Sequence, residues 1–352
     1  MRDVLFVTIA TRCARFILLL AWTVAILSPS RARADAFPDT VFFNGFDPCV
    51  GVQCFQVHCP AGQTTSVSGT VYAPNGTLPL PNVEVYVPNA TLAAFTDGPN
   101  APRCDQAPSG HPLVATLTDA SGNFTLKNMP ATTNVPVVLL AGKWRRQITV
   151  ASVPQCTNTA LDAADTRLPQ NHTEGDIAHI AVATGSADAF ECLIRKIGVA
   201  DSEFSTSSGS GRIHLFAGTS GNATNHFDLT NGGATFASAS TLWASSAALA
   251  AYDQVMLACD GSQNPGGTIP AAALNAMTNY ANAGGRVYFA HWQNYWLQAN
   301  VPWAALATWD NGLASFVSPI TAQVSSNFPQ AAIEYAWLTL VGASTTPGTL
   351  SI

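Results

Sequence analysis

The apolar positions change period once along the chain. From Thr64 to Val153 they come in short alternating runs. Ser66–Tyr72 (SVSGTVY) and Val83–Val87 (VEVYV) read as half-buried strands. Ala73-Pro74-Asn75-Gly76 and Asp119-Ala120-Ser121-Gly122 carry turn chemistry, the second leading into Asn123–Leu126. Pro136–Leu140 and Gln147–Val150 complete at least six short strands, the pattern of a small β-sandwich. From Asp176 the runs alternate between strand and helix length. Ile177–Ala183 and Arg212–Ala217 read as strands, Ala187–Ile197 and Ser238–Ala250 as helices. Gln254–Cys259 (QVMLAC) is a continuous apolar run, as expected of a strand buried on both faces. A helix follows, capped by Thr268, with Pro270 in its first turn and Ala273, Leu274, Met277, Tyr280 and Ala281 on one face. Gly284-Gly285 ends it and Arg286–Ala290 resumes as a strand. Trp296–Thr308 and Gln330–Val341 read as later helices, with no closing strand visible after them.

The fold class is therefore multidomain: a small all-β sandwich, then an α/β three-layer unit with a mostly parallel sheet. The predicted division is a leader at 1–34, a Cys-rich lead-in at 35–63, the sandwich at 64–153, a linker at 154–175 and the α/β unit at 176–352, incomplete at its C-terminal end.

The leader reading rests on Arg2, Arg12 and Arg15 ahead of the apolar run Phe16–Leu27, with Ala32-Arg33-Ala34 as the cleavage site. That run is shorter than the roughly 20 residues of a membrane span, so the mature chain is expected to be secreted to the periplasm, cell surface or medium with no transmembrane span. With the leader go five Arg and Asp3, leaving 10 Lys and Arg against 20 Asp and Glu, a net charge near −10. Nucleic acid, which needs a basic face, is excluded as a partner. Seven cysteines remain after Cys13 is lost. Cys49, Cys54 and Cys59 surround His58, but their spacing and an oxidising compartment favour disulfides over zinc. The pairing stays open, and an odd cysteine stays free or intermolecular. Lys143, Arg145 and Arg146 beside Trp144 read as a solvated strand end.

Within the β region, Ser68-Gly69-Thr70-Val71, Leu80-Pro81-Asn82-Val83-Glu84-Val85, Thr118-Asp119-Ala120-Ser121-Gly122-Asn123-Phe124-Thr125-Leu126 and Met129-Pro130 follow one another in an order that resembles the carboxypeptidase regulatory-like domain. That resemblance implies a transthyretin-like (prealbumin-like) sandwich serving as an accessory module, with no catalytic residues to carry over. The chain departs from it by an insertion around Ala94–Pro112 that carries Cys104.

In an open parallel sheet, ligands bind outside the carboxyl ends of the strands. The loops there supply Ser186, Ser220, Ser262, Asn264 and Asn294 as polar ligand-binding candidates, with Trp292, Tyr295 and Trp296 as flat apolar faces and Asp188, Asp260 and His291 as ionisable groups. Small, mostly uncharged loops suit a neutral, hydroxyl-rich ligand better than a phosphate. His214, His226, Asp228, Asp260 and His291 lack metal-site spacing, and no P-loop, dinucleotide loop or GxSxG occurs, so no metal or cofactor is expected.

Tyr252-Asp253-Gln254-Val255, Tyr280-Ala281-Asn282-Ala283-Gly284-Gly285-Arg286-Val287 and Phe289-Ala290-His291 resemble the class I glutamine amidotransferase-like fold, including its trehalose-utilisation branch. Where true amidotransferases carry the nucleophile Cys, this chain reads Ala290-His291-Trp292, so glutaminase chemistry is not expected. Cys259 reads as a disulfide partner for a residue such as Cys192. The two-part order is similar to that of secreted proteins of myxobacterial type. The expected function is a secreted or cell-envelope binding or structural protein, non-catalytic, with a glycan or cell-envelope polymer as partner. The alternative is a secreted hydrolase of glycan or peptidoglycan using Asp260 and His291 as an acid–base pair.

Overall fold

The structure is a computed structural model, and it describes residues 49–100, 107–262, 268–309, 319–328 and 330–351. The β region forms two sheets. Strands β1 (Ser66–Thr70), β2 (Glu84–Pro88), β3 (Pro112–Leu117), β4 (Asn123–Lys127), β5 (Thr133–Ala141), β6 (Trp144–Ser152) and β7 (Asn158–Ala160) assemble in the orders β4-β1-β7 and β3-β2-β5-β6. Alternation decides which side chains face inward. In β4 Phe124 and Leu126 are buried while Asn123, Thr125 and Lys127 are exposed. They meet Val67, Val85, Val87, Val135, Val137 and Leu139 in one apolar core. The Asp119 turn forms as its chemistry demands: Asp119 Oδ1 accepts from the N–H groups of Ser121 and Asn123, and Gly122 takes φ +76°.

The stretch read as a linker is not one. Strand β7 lies inside it and pairs parallel with β1, and Thr166 and Leu168 are buried beside it. A covalent link between residues far apart in sequence stands beside this pairing. Cys59–Cys156 bridges the lead-in to the segment before β7 across a separation of 97 residues, while Cys49–Cys54 closes a short loop. Closing a loop of that length stabilises by roughly 4–5 kcal/mol through the entropy of the unfolded chain.

The second region is a parallel sheet. Strands β8 (Ile180–Ala183), β9 (Phe204–Thr206), β10 (Ile213–Ala217), β11 (Ala237–Ser238), β12 (Gln254–Leu257) and β13 (Arg286–Phe289) give the order β11-β10-β8-β12-β13, with β9 beside β10. The crossovers carry α1 (Phe190–Lys196), α2 (Ala239–Leu242), α3 (Ser246–Leu249) and α4 (Ala271–Asn282). Both faces are covered. Ala181, Ala183, Val255 and Leu257 pack with Leu242, Leu249, Met277 and Tyr280, whereas Ile180, Val182, Ile213 and Leu215 pack with Phe190 and Ile194. This double burial is why the strands read as continuous apolar runs.

Several expected elements are shorter or broken. The Ser238–Ala250 helix is two pieces, because Ser238 and Ser245 each cap a new start with the side-chain oxygen. Thr268 does not cap α4; Pro270 is its N-cap residue, without a side-chain cap bond. The helix expected from Trp296 is α5 (Tyr295–Gln298) and α6 (Val301–Ala304), interrupted at Asn300 and with Pro302 in the first turn of α6. Buried Asn300 spends its Nδ2 on Leu274 O and Thr278 Oγ1. After the break, α7 (Ala331–Leu340) is flanked by β14 (Thr321–Gln323) and β15 (Thr349–Ser351), which pair antiparallel. A strand does follow α7, but it pairs with β14 and not with the central sheet.

The turn Gly142-Lys143 between β5 and β6 is not a solvated strand end. Lys143 and Arg145 are 5% and 6% exposed. The Lys143 ammonium donates to Thr96 O (2.8 Å), Gly98 O (3.0 Å) and Asn100 Oδ1 (2.6 Å), and forms an ion pair with the buried Asp253 carboxylate at the start of β12. Asp253 also accepts from the N–H groups of Gly98 and His179. Arg212 forks onto Asp97 at 3.0 and 2.6 Å, and Arg145 pairs with Asp176 at 2.7 Å. Residues 96–100 thus bridge the β sheets and the parallel sheet.

Candidate functional site

A cavity of about 460 Å³ opens beyond the carboxyl ends of β10, β12 and β13. Asp260, in the loop after β12, lines it with Thr219, Ser262, Gln293 and the aromatic residues Trp243, Trp292, Tyr295 and Trp296. Asp260 is 6% exposed. Its Oδ2 accepts from Thr219 Oγ1 and from Gln293 Nε2, both at 3.1 Å. Gln293 is itself held, donating to Ala258 O at 2.8 Å and accepting from Trp296 Nε1 at 3.1 Å. Asp260 Oδ1 is closed off from solvent and lies against the backbone of Gly218. Burial pushes the Asp260 carboxyl above the ordinary Asp range, and hydrogen bonds from the Thr219 and Gln293 side chains and from the backbone of Ser220 and Thr219 oppose that rise. Gly218 makes room for this carboxylate, since a Cβ there would come within 2.8 Å of Oδ1 and 2.0 Å of Thr184 O.

The strand register explains what stands next to what. Leu257 pairs with Phe289 between β12 and β13. Two residues further on, Cys259 falls opposite His291, and Cys259 Sγ lies 3.0 Å from His291 Nδ1. Successive residues of a strand point to opposite faces. Cys259 belongs to the core on the α1 side, whereas Asp260 faces the cavity with Trp296 and Ala273 of the α4 side. The candidate pair Asp260 and His291 therefore does not converge. Asp260 lines the cavity, and His291 does not line it but meets Cys259. His291 holds φ +39°, an uncommon backbone for a non-glycine residue, at the tight turn from β13 into the following helical turns.

The other candidates divide. Ser262, Trp292 and Trp296 line the cavity; Ser220 and Asn294 do not. Ser186 donates from Oγ to Asp260 O at 2.6 Å, bracing the loop and not facing the cavity. Asp188 accepts from Cys259 N at 3.2 Å. Asn264 lies outside the described residues. The disulfide expected for Cys259 and Cys192 does not form: Cys192 is exposed on α1 and Cys259 is a buried thiol. No group of three His, Cys, Asp or Glu able to hold a metal forms among the described residues. The sequence reading missed Trp243, the one large ring in the Ser/Ala-rich stretch Ser238–Ala250, and Gln293, which looked like any polar loop residue.

No protein-family model matches the chain, and no curated protein is significantly similar to it. Two solved structures resemble it in part. One is an N-terminal interface mutant of a type II cohesin–X-dockerin complex from Acetivibrio cellulolyticus, 16% identical, covering 38% of this chain and 84% of that chain with a TM-score of 0.20. The other is the C-terminal interface mutant of the same complex, 18% identical, covering 49% of this chain and 88% of that chain with a TM-score of 0.19. At those scores the likeness bears on neither fold nor function.

Proposed function

We propose that the chain is an extracellular or cell-envelope binding protein whose parallel-sheet region takes a small hydroxylated ligand of carbohydrate type. The observation that carries this reading is the Asp260 carboxylate, buried and fixed in an aromatic-lined cavity at the carboxyl ends of the strands. Sugars present hydroxyl donors to such a carboxylate and apolar ring faces to aromatic side chains, and Trp292 and Tyr295 are half-buried beside it. The two disulfides support an oxidising compartment; among the described residues no helix is long and apolar enough to cross a membrane.

The proposal keeps the two-part division. The sheets of the β region support an accessory module of the carboxypeptidase regulatory-like type. The strand order β10-β8-β12-β13 with crossovers on both faces supports an amidotransferase-like unit. In this reading the envelope glycan is the partner. Hydrolysis by Asp260 and His291 is not favoured, since the two groups serve different faces of the sheet ends.

The test is a thermal-shift titration of the full chain against mono- and disaccharides and peptidoglycan fragments, with Trp292→Ala beside it. A ligand at 100 times its dissociation constant stabilises by about 2.7 kcal/mol. A shift with a sugar that disappears in Trp292→Ala is the expected result. No shift with any sugar overturns the reading.

A further inference from the structure

The outer strands of the sheets are guarded unequally. β6 carries Arg145 and Arg146, and the Arg146 guanidinium donates to the carbonyls of Ala164, Asp165 and Arg167 alongside it. β4 ends on Lys127 and β13 begins on Arg286. β7, β9, β14 and β15 hold three residues each and β11 two. Charge, cover and short length are means by which an edge is kept from joining another chain. Among the described residues β3 has none of these. It lies at the end of the order β3-β2-β5-β6, and residues 113–117 (LVATL) contain no charge and no proline. Leu117 at its end is 60% exposed.

The register shows which backbone groups of β3 are left over. Thr118 N–H donates to Val83 O, so Thr118 turns its backbone toward the β2 side. Along an antiparallel pair, successive residues turn their N–H and C=O alternately to the partner strand and away from it. The pairs Val85↔Thr116 and Tyr86↔Ala115 carry that alternation along β3. Thr116 therefore bonds inward to β2, whereas Ala115 and Leu117 turn their N–H and C=O outward. Among the described residues these groups meet no other strand; Leu117 O receives a 3.5 Å contact from Thr116 Oγ1 and keeps a second lone pair.

We propose that β3 is the seam of a homodimer, in which two copies pair their β3 strands antiparallel about a two-fold axis at Thr116. Ala115 then stands opposite the partner's Leu117, and Leu117 opposite the partner's Ala115, each pair exchanging N–H···O=C bonds in both directions. The exposed Leu117 side chain comes down beside a residue as small as alanine, and the two-fold repeats that fit on the other side of the axis. Thr116 meets the partner's Thr116, a hydroxyl pair that sheets accept. Although the chain as a whole is acidic, no side chain of this seam meets a like charge, whereas Arg or Lys lies on each of the longer alternative edges. The four-stranded sheet of one copy continues into that of the other. A seam of one strand pair is at the small end of specific interfaces, so the dimer is reversible and fills as the chain is concentrated.

The experiment is sedimentation velocity on residues 35–352, the chain without its predicted leader, across a concentration series. Cys104→Ser and Cys192→Ser are present throughout, so that neither thiol joins two chains. The expected result is a passage from monomer to dimer mass as concentration rises. Ala115→Pro removes an outward N–H and no bond to β2, and it is expected to weaken the dimer by about tenfold or more. Should that variant fold poorly, Leu117→Lys places a charge on a side chain already open to solvent and is expected to weaken the dimer as well, while Thr149→Lys on an exposed position of β6 leaves it intact. Thr116→Cys reports the register. Copper-phenanthroline should oxidise that chain to a disulfide-linked dimer, because directly opposed residues of a strand pair bring their Cβ atoms close to disulfide reach, and Gln147→Cys on β6 should stay unlinked at the same concentration. A chain that stays monomeric throughout overturns the proposal and leaves the edge to an extended segment of another protein. A dimer that survives both Ala115→Pro and Leu117→Lys, or that gives no disulfide with Thr116→Cys, overturns β3 as the seam.

Discussion

Replacing Lys143 by Met removes a charge from the middle of the molecule and keeps most of the side-chain volume. In the native chain the ammonium satisfies Thr96 O, Gly98 O and Asn100 Oδ1 and neutralises Asp253, all around a side chain 6% exposed. After the substitution Asp253 keeps the N–H donors of Gly98 and His179, and its nearest cation is Arg212 at 3.9 Å, already forked onto Asp97. Removing one partner of a buried pair costs about 3–5 kcal/mol, because the remaining charge stays desolvated. At roughly 2 °C per kcal/mol for a chain of this size, the melting temperature should fall by about 6–10 °C. Urea unfolding followed by tryptophan fluorescence checks the loss directly. The double variant Lys143→Met/Asp253→Asn should lose less than the sum of the two single losses, since neither charge is then left alone. A surface lysine at a strand end would change stability by within about 0.5 kcal/mol. A loss below about 1 kcal/mol for Lys143→Met, or strictly additive losses, would refute the buried junction.

Three further outcomes are expected. In residues 35–352 with Cys104→Ser, Ellman's reagent should titrate Cys192 at once in the native state and Cys259 only after unfolding; a fast second thiol contradicts the burial of Cys259 against His291. Gly285→Ala should destabilise by about 1–3 kcal/mol, because its Cβ would come within 2.5 Å of the Tyr280 ring, whose hydroxyl is held on Tyr252 O at 2.9 Å; an unchanged urea midpoint counts against that packing. Burial holds His179 and His214 below the ordinary histidine range, helped by Arg212 at His179 and by His179 at His214. The unfolded chain therefore takes up protons first, so stability should be flat above pH about 7 and fall as pH drops through about 6.5; urea midpoints that rise from pH 7.5 to 5.5 would reverse that sign.

Some of this architecture is legible in local chemistry. The alternation of Asn123–Lys127 names its inward residues, and the unbroken apolar runs around Ile180 and Val255 announce strands covered on both sides. The Asp119 and Gly284 turns follow from side-chain acceptors and glycine backbone freedom. Even the neighbourhood of Cys259 and His291 was readable in principle. A strand–helix–strand unit with parallel pairing brings the two strand ends together, and a count along the register sets them opposite each other. The same count separates Asp260 from His291 by one residue and hence by one face of the sheet, which removes the acid–base pair.

The sequence by itself determined the period of each segment, and with it the division into β sheets followed by a parallel α/β sheet. It also determined which loops gather at the strand ends, because those facts depend on near neighbours along the chain. Tertiary structure alone decided that Lys143 is buried, that Asn158–Ala160 joins β1, and that Cys59 pairs with Cys156. It decided as well that Gln293 braces Asp260. Each of these joins residues tens to more than a hundred positions apart, and local propensity carries no information about which distant partner will arrive. Whether a charge is solvated or buried depends on that partner, and so did the chemistry of the cavity.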